Sequence, residues 1–256
     1  MSIEKKPLVN DLYTADPSAH VFNGKIYIYP SHDEDIDVEN NDNGDQYDMK
    51  DYHVYEMPDT ETYPRDCGCV LKLEDIPWAS KQLWAPDCVE KDGKYYFVFP
   101  ARDKEGFFRI GIATSDKPEG PFKAEPNYIP GSYSIDPCMF PDTDGKYYLT
   151  FGGIWGGQLD QYRNNKWSAD NKEPKGDELA CTAKIALMKD NLLEMAEEPK
   201  DIMILDENGK PLTGGDEARR YFEDPWMFKK GDTYYFTYST GTTHLLCYAT
   251  SKSVYG

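Results

Sequence analysis

One phrase recurs four times along this chain: a loop carboxylate beside a proline, a short apolar run, a glycine turn, then an aromatic-rich strand. The copies are Asp16-Pro17 leading into Val21–Tyr29, Pro86-Asp87 into Val89–Phe99, Asp136-Pro137 into Met139–Phe151, and Glu223-Asp224-Pro225 into Met227–Tyr238. The acids Asp16, Asp87, Asp136 and Glu223 precede their turn glycines (Gly24, Gly93, Gly145, Gly231) by 8, 6, 9 and 8 residues. Asn23-Gly24, Asp92-Gly93 and Asp144-Gly145 are dipeptides that accept positive φ and close tight hairpins. A proline after the acid disfavours helix there and stiffens the entrance to the strand.

Each unit continues into a third predicted strand: Tyr52–Met57, Arg109–Thr114, Ala183–Met188 and His244–Thr250. No long amphipathic helix is predicted. The turn glycines stand 69, 52 and 86 residues apart, so one architecture carries insertions of variable length. Four sheets that each bring an acid inward predict an all-β fold, a β-propeller whose first strands line a central channel. A β-sandwich of ordinary hairpins would not place an acid at a similar offset in every unit. Two insertions stand out: Asp33–Asp51, acidic and Asn-rich without the order of an EF-hand, and the polar Trp155–Glu178, which opens with Trp155-Gly156-Gly157. Loops of this kind usually sit at pocket rims or are merely mobile.

The formal net charge of −18, with no basic stripe to offset it, excludes nucleic acid as a partner. No run approaches 18 apolar residues and MSIEKKPLVN has no apolar h-region, so no membrane association is expected. The six cysteines form no CxxC pair, and Cys67-Gly68-Cys69 is too close for an ordinary disulfide or a full zinc site. Reduced thiols and a cytoplasmic location are expected, or a secreted or periplasmic one if a signal peptide has been removed.

Convergent carboxylates are the equipment of glycoside hydrolysis. An acid protonates the leaving oxygen, and a carboxylate activates water or attacks carbon directly. Asp16, Asp136 and Glu223 are the catalytic candidates; the longer reach of Glu223 suits a proton donor. Asp87, whose proline precedes it, is read as structural or substrate-binding. Trp84, Trp155 and Trp226 are sugar platforms or core residues, and His32 is a rim hydrogen-bonder or a structural histidine. No residue pattern assigns a metal site.

The segments ADPSAHVFNGKIYIY, WAPDCVEKDGKYYF, SIDPCMFPDTDGKYYLTFGG and YFEDPWMF resemble the blade openings of glycoside hydrolase family 43, five-bladed propellers acting on xylan and arabinan. The resemblance runs from about Asp11 to the end of the chain. YPSHD, MKDYHVY, EDIPWASKQLWAPD, FRIGIATSDKPEGPF, GSYSIDP, GGIWGGQL and TGTTHLLCYATS resemble the bacterial β-xylosidase/α-L-arabinofuranosidase members most.

This resemblance implies that Asp16 is the general base, that Glu223 is the general acid, and that Asp136 orients the acid and raises its pKa, with inversion at the anomeric carbon. It implies an exo-acting enzyme releasing terminal xylose or arabinose from xylo- or arabino-oligosaccharides; an endo-arabinanase and a non-catalytic carbohydrate-binding propeller are the alternatives. The two long insertions favour a walled pocket, hence exo action.

In the family, the phrase at Ser253–Gly256 continues into the outer strand of blade four and a fifth blade, which supplies an arginine near the sugar and a histidine often associated with calcium. None of His20, His32, His53 and His244 sits in the matching context. Residues 1–256 are therefore expected to form a single catalytic propeller domain, C-terminally incomplete, covering about four of five blades. Calcium is expected only by resemblance, and self-association or a second chain completing the ring is expected as a partner.

Overall fold

The computed structural model describes residues 6–241 and 245–256. The first sheet runs in the order β1 (Tyr13–Phe22), β2 (Lys25–Asp33), β3 (Asp51–Met57), β4 (Arg65–Lys72). In the second, β6 (Asp87–Lys91) and β5 (Ala79–Lys81) both pair with β7 (Lys94–Asp103), which continues to β8 (Phe108–Ser115) and β9 (Lys123–Ala124). The third holds β10 (Cys138–Pro141) and β11 (Tyr147–Phe151), followed after a small hairpin, β12 (Tyr162–Arg163) and β13 (Lys166–Trp167), by β14 (Lys184–Leu187) and β15 (Lys200–Asp201). The fourth is β16 (Glu223–Lys230), β17 (Thr233–Thr240) and β18 (Leu245–Ser251). Every pairing is antiparallel, and no α-helix occurs among the described residues.

These are four blades of a β-propeller. The strands that open each sheet, β1, β6, β10 and β16, touch one another in chain order, as strands around an axis must. The four predicted hairpins are present, and the predicted third strands correspond to β3, β8, β14 and β18; His244 lies outside the described residues.

Adjacent blades are glued by side chains from both faces of the strands between them. On β7, Phe97 and Phe99 enter a core shared with Tyr29, Tyr52 and Leu83 of the first blade interface, while Val98 enters a second core with Met139, Leu149 and Phe151. The alternation follows from the two-residue period of a strand buried on both faces. Fully burying each such side chain contributes about 1.5–3 kcal/mol.

Hydrogen bonds also cross between blades. Asp87 Oδ2 accepts the backbone N–H of Met139 at 2.7 Å, and its Oδ1 lies 2.6 Å from His20 Nε2. The fourth sheet has three strands among the described residues. Its outer strand β18 leaves Leu245, Leu246 and Tyr248 exposed, at 54%, 79% and 70%.

Candidate active site

The proline after each repeated acid does more than stiffen a strand entrance. Asp16, Asp136 and Asp224 all precede proline and all adopt positive φ, at 45°, 55° and 57°. Proline disfavours the right-handed helical region for its predecessor, and aspartate is among the few residues that tolerate the left-handed one. Bulges accompany two of the three, between Ala15 and Ser18 on β1 and between Glu223 and Trp226 on β16. A bulge re-aims side chains at the end of a strand.

The structure therefore changes one assignment made from the sequence. The member of the repeat in the fourth blade is Asp224, not Glu223. Glu223 occupies the preceding position, where the first and third blades carry Ala15 and Ile135. All three residue pairs, Ala15-Asp16, Ile135-Asp136 and Glu223-Asp224, line one cavity of about 570 Å³. The repeat supplies three aspartates, and Glu223 is installed at a site that is apolar in the other two units.

Both predicted insertions wall this cavity. Asn40, Asn41, Asp42, Gly44, Gln46 and Tyr47 come from the first; Trp155, Gly156 and Gly157 come from the second. Trp84 is held between the two. Its indole N–H donates to Tyr47 O at 2.8 Å, and its ring packs against Phe108. A Cβ added to Gly44, where φ is +72°, would lie 2.4 Å from the Trp84 ring. Only glycine fits both that conformation and that contact.

Arg102, buried on β7, ties the insertions together. It donates from Nε to Gln82 Oε1 at 2.5 Å, from Nη2 to Asn43 O at 2.9 Å and Gly156 O at 3.2 Å, and from Nη1 to Gly106 O at 2.9 Å. The sequence reading missed Arg102 because its partners lie on three distant segments.

The carboxyls form an electrostatically crowded group. Asp136 is buried, Glu223 and Asp224 are half-buried, and Asp16 is exposed to the water of the cavity. Crowding by the cavity walls, then the charges of Asp224 and Asp33, push Asp16 up to about 7; its contact with water tempers that push. Burial raises Glu223 well above the ordinary carboxyl range, with Asp224 and then Asp16 adding to it. Burial also raises Asp136, helped by Asp224, Glu223 and Asp16. Asp224 adds most to the effect of burial at Glu223, and the mutual repulsion of Asp136 and Glu223 appears as a raised Asp136. Like charges confined in low dielectric share protons instead of all ionising. The result is an open carboxyl able to lose its proton near neutrality beside a more buried one that keeps it.

The remaining candidates divide between this cavity and other places in the fold. Trp84 and Trp155 line the cavity; His32, Asp87 and Trp226 do not. Asp87 as a sugar ligand is corrected: it is 1% exposed and both its oxygens are engaged by His20 and Met139. Trp226 packs beside His20, with ring centroids 5.3 Å apart. His32 faces Asp51 and His53. The indole N–H of Trp155 donates to Glu173 Oε2 at 3.0 Å, and its ring meets the edge of Phe222.

Comparison with known proteins agrees with this geometry. The family profile described as glycosyl hydrolases family 43 matches residues 5–256. A xylosidase/arabinosidase of Bacteroides ovatus is 56% identical over 257 residues, covering 100% of this chain and 79% of the relative. Xylosidase/arabinosidase 43A of Humicola insolens is 57% identical, covering 98% of this chain and 79% of the relative. The crystal structure of a family 43 β-xylosidase/α-arabinofuranosidase from a compost microbial metagenome, in complex with xylotriose, superposes with a TM-score of 0.95 at 54% identity, covering 98% of this chain and 77% of that one.

Proposed function

Since this chain belongs to glycosyl hydrolase family 43, and is thereby a glycosidase, we propose that it removes terminal xylose or arabinose from xylan- or arabinoxylan-derived oligosaccharides with inversion. The observation that carries this reading is the placement of Asp16, Asp136 and Glu223 on one cavity. Asp16, deprotonated, takes a proton from water as the water attacks the anomeric carbon. Glu223, held protonated by its surroundings, donates to the departing oxygen. Asp136 accepts the backbone N–H of Asp224 and so fixes the segment that carries Glu223.

The two insertions that wall the cavity support attack on chain ends over an endo-acting groove. Trp84 and Trp155 supply aromatic surface for a pentose ring. The exposed apolar residues of β18 support self-association or pairing with a second chain.

The deciding experiment compares turnover of an aryl β-xyloside and an aryl α-arabinofuranoside, with proton NMR of the first-formed anomer. Release of the inverted pentose supports the reading. A retained anomer, or no turnover of either substrate by the folded chain, refutes it.

A further inference from the structure

Outside the carboxylate cavity, one cluster combines donors of a kind that hydrolysis of an acetal does not use. The side chains of His32, Asp51 and His53 each offer a ligand atom, and these atoms lie within 4.8 Å of one another. His32 Nδ1 is 2.6 Å from Asp51 Oδ1, and the His32 and His53 rings stand edge to face with centroids 5.4 Å apart. All three residues are half-buried. We propose that His32, Asp51 and His53 bind a borderline-soft divalent cation, with Zn2+ as the representative ion, and that this ion clamps the stem of the loop walling the sugar cavity.

The local architecture has the features of a built site. Continuing the register of Ile28 against Tyr55 sets His32 on β2 opposite Asp51 on β3. His53, two residues along β3, lies on the same face, so the three donors are direct and diagonal neighbours on one sheet surface. The β3–β4 ladder shifts register on both sides of His53, the irregularity that re-aims a side chain.

Asp66 supplies an outer support. Its two carboxylate oxygens lie 3.0 and 3.1 Å from His53 Nδ1, and its Oδ1 also accepts the Gly68 N–H at 2.7 Å. A carboxylate on one ring nitrogen fixes the imidazole and makes the other nitrogen a better ligand. Two nitrogens and a carboxylate oxygen match zinc, which at ~2.0–2.2 Å bond lengths needs donors about 3.3 Å apart. Side-chain rotations close the difference, and water completes the shell.

The position gives the ion a role. His32 immediately precedes the Asp33–Asp51 insertion and Asp51 ends it, so one ion would join both stems of that loop. A metal that closes a long loop restricts the chain where it would otherwise be most free. Asp33, next to His32 on β2, lines the sugar cavity.

The test uses the full chain, treated with chelator and titrated with ZnCl2 by calorimetry, with thermal unfolding in parallel. One equivalent should bind and raise Tm. Asp66→Asn should weaken binding about 10–100-fold, the usual consequence of losing such an outer partner, and His53→Gln should weaken it at least as much and abolish the rise in Tm. A tenfold excess of CaCl2 should leave the isotherm unchanged. Circular dichroism checks both folds, and Asp66→Asn decides alone if His53→Gln does not fold. Equal zinc affinity in the wild type and the folded variants overturns the proposal. So does loss of zinc on Cys67→Ser/Cys69→Ser alone, or displacement by Ca2+, which would place the ion among the cavity carboxylates.

Discussion

The backbone N–H of Asp224 donates to Asp136 Oδ2 at 3.2 Å, joining two blades through two aspartates that each precede proline at positive φ. Asp224 is held from its other side by Ser239 Oγ, 3.0 Å from its Oδ2. The residue that carries the proposed acid is thereby fixed by its successor. We predict that Asp224→Asn, which keeps the shape and removes the charge, moves both limbs of the pH–rate profile to lower pH. The sign follows from the neighbours. Burial is the first cause that raises Asp16 and Glu223, and the charge of Asp224 is the largest contribution from a neighbour to each, so removing that charge lets each lose its proton at lower pH. An unmoved acidic limb in kcat/KM would show that Asp224 does not act on the base.

Asp16→Asn and Glu223→Gln should separate by leaving group. Without Asp16 no carboxylate activates water, so loss of about 10²–10⁴-fold is expected on every substrate. Without Glu223 an aryl glycoside with an acidic phenol still departs, and the loss should be at least about tenfold smaller than for Asp16→Asn. Measuring kcat for nitrophenyl and unactivated xylosides decides it; the reverse pattern would exchange the two roles.

Arg102→Ala should destabilise the fold by about 2–4 kcal/mol, because carbonyls of Asn43, Gly106 and Gly156 lose a buried charged donor. The same change should raise KM more than it lowers kcat, since the arginine braces the cavity walls and touches none of the four carboxyls. Arg102→Lys should recover only part of the stability, as one ammonium cannot reproduce the guanidinium fork. Denaturant unfolding together with steady-state kinetics tests both parts.

Asp87→Ala should lower stability by a similar amount, about 2–4 kcal/mol, by leaving His20 and the Met139 N–H without their partner. At a temperature where the variant remains folded, KM should be close to that of the wild type. A large rise in KM in a stably folded Asp87→Ala would return this residue to the sugar site.

The outer strand β18 presents Leu246 and Tyr248 to solvent along an edge unpaired among the described residues. Exposed apolar edges of this kind associate. Light scattering should show a mass that rises with concentration, and Leu246→Lys with Tyr248→Lys should reduce the rise. A strictly monomeric wild type over the same range would remove β18 as an association surface.

The sequence alone determined the hairpins and the all-β propeller class, because these are written in local chemistry. Asn-Gly and Asp-Gly turn chains wherever they occur, aromatic and β-branched runs extend, and a repeated acid–proline phrase reports a repeated backbone. Asp16 and Asp136 stood out for that reason, and Glu223 through its place one residue before the fourth acid–proline pair.

What tertiary structure decided was the use of each group. Asp87 and Asp136 head similar strands. One is consumed by His20 and the Met139 N–H, and the other faces the cavity, a difference set by the neighbouring blade and invisible in either phrase. Asp224 emerged as the true repeat member only when its φ could be compared with those of Asp16 and Asp136. Arg102 draws on segments far apart in the chain, and the His32–Asp51–His53 cluster joins the two ends of the first insertion. Their meaning arises from approach in space, since desolvation, charge coupling and hydrogen-bond completion act over a few ångströms regardless of separation along the sequence.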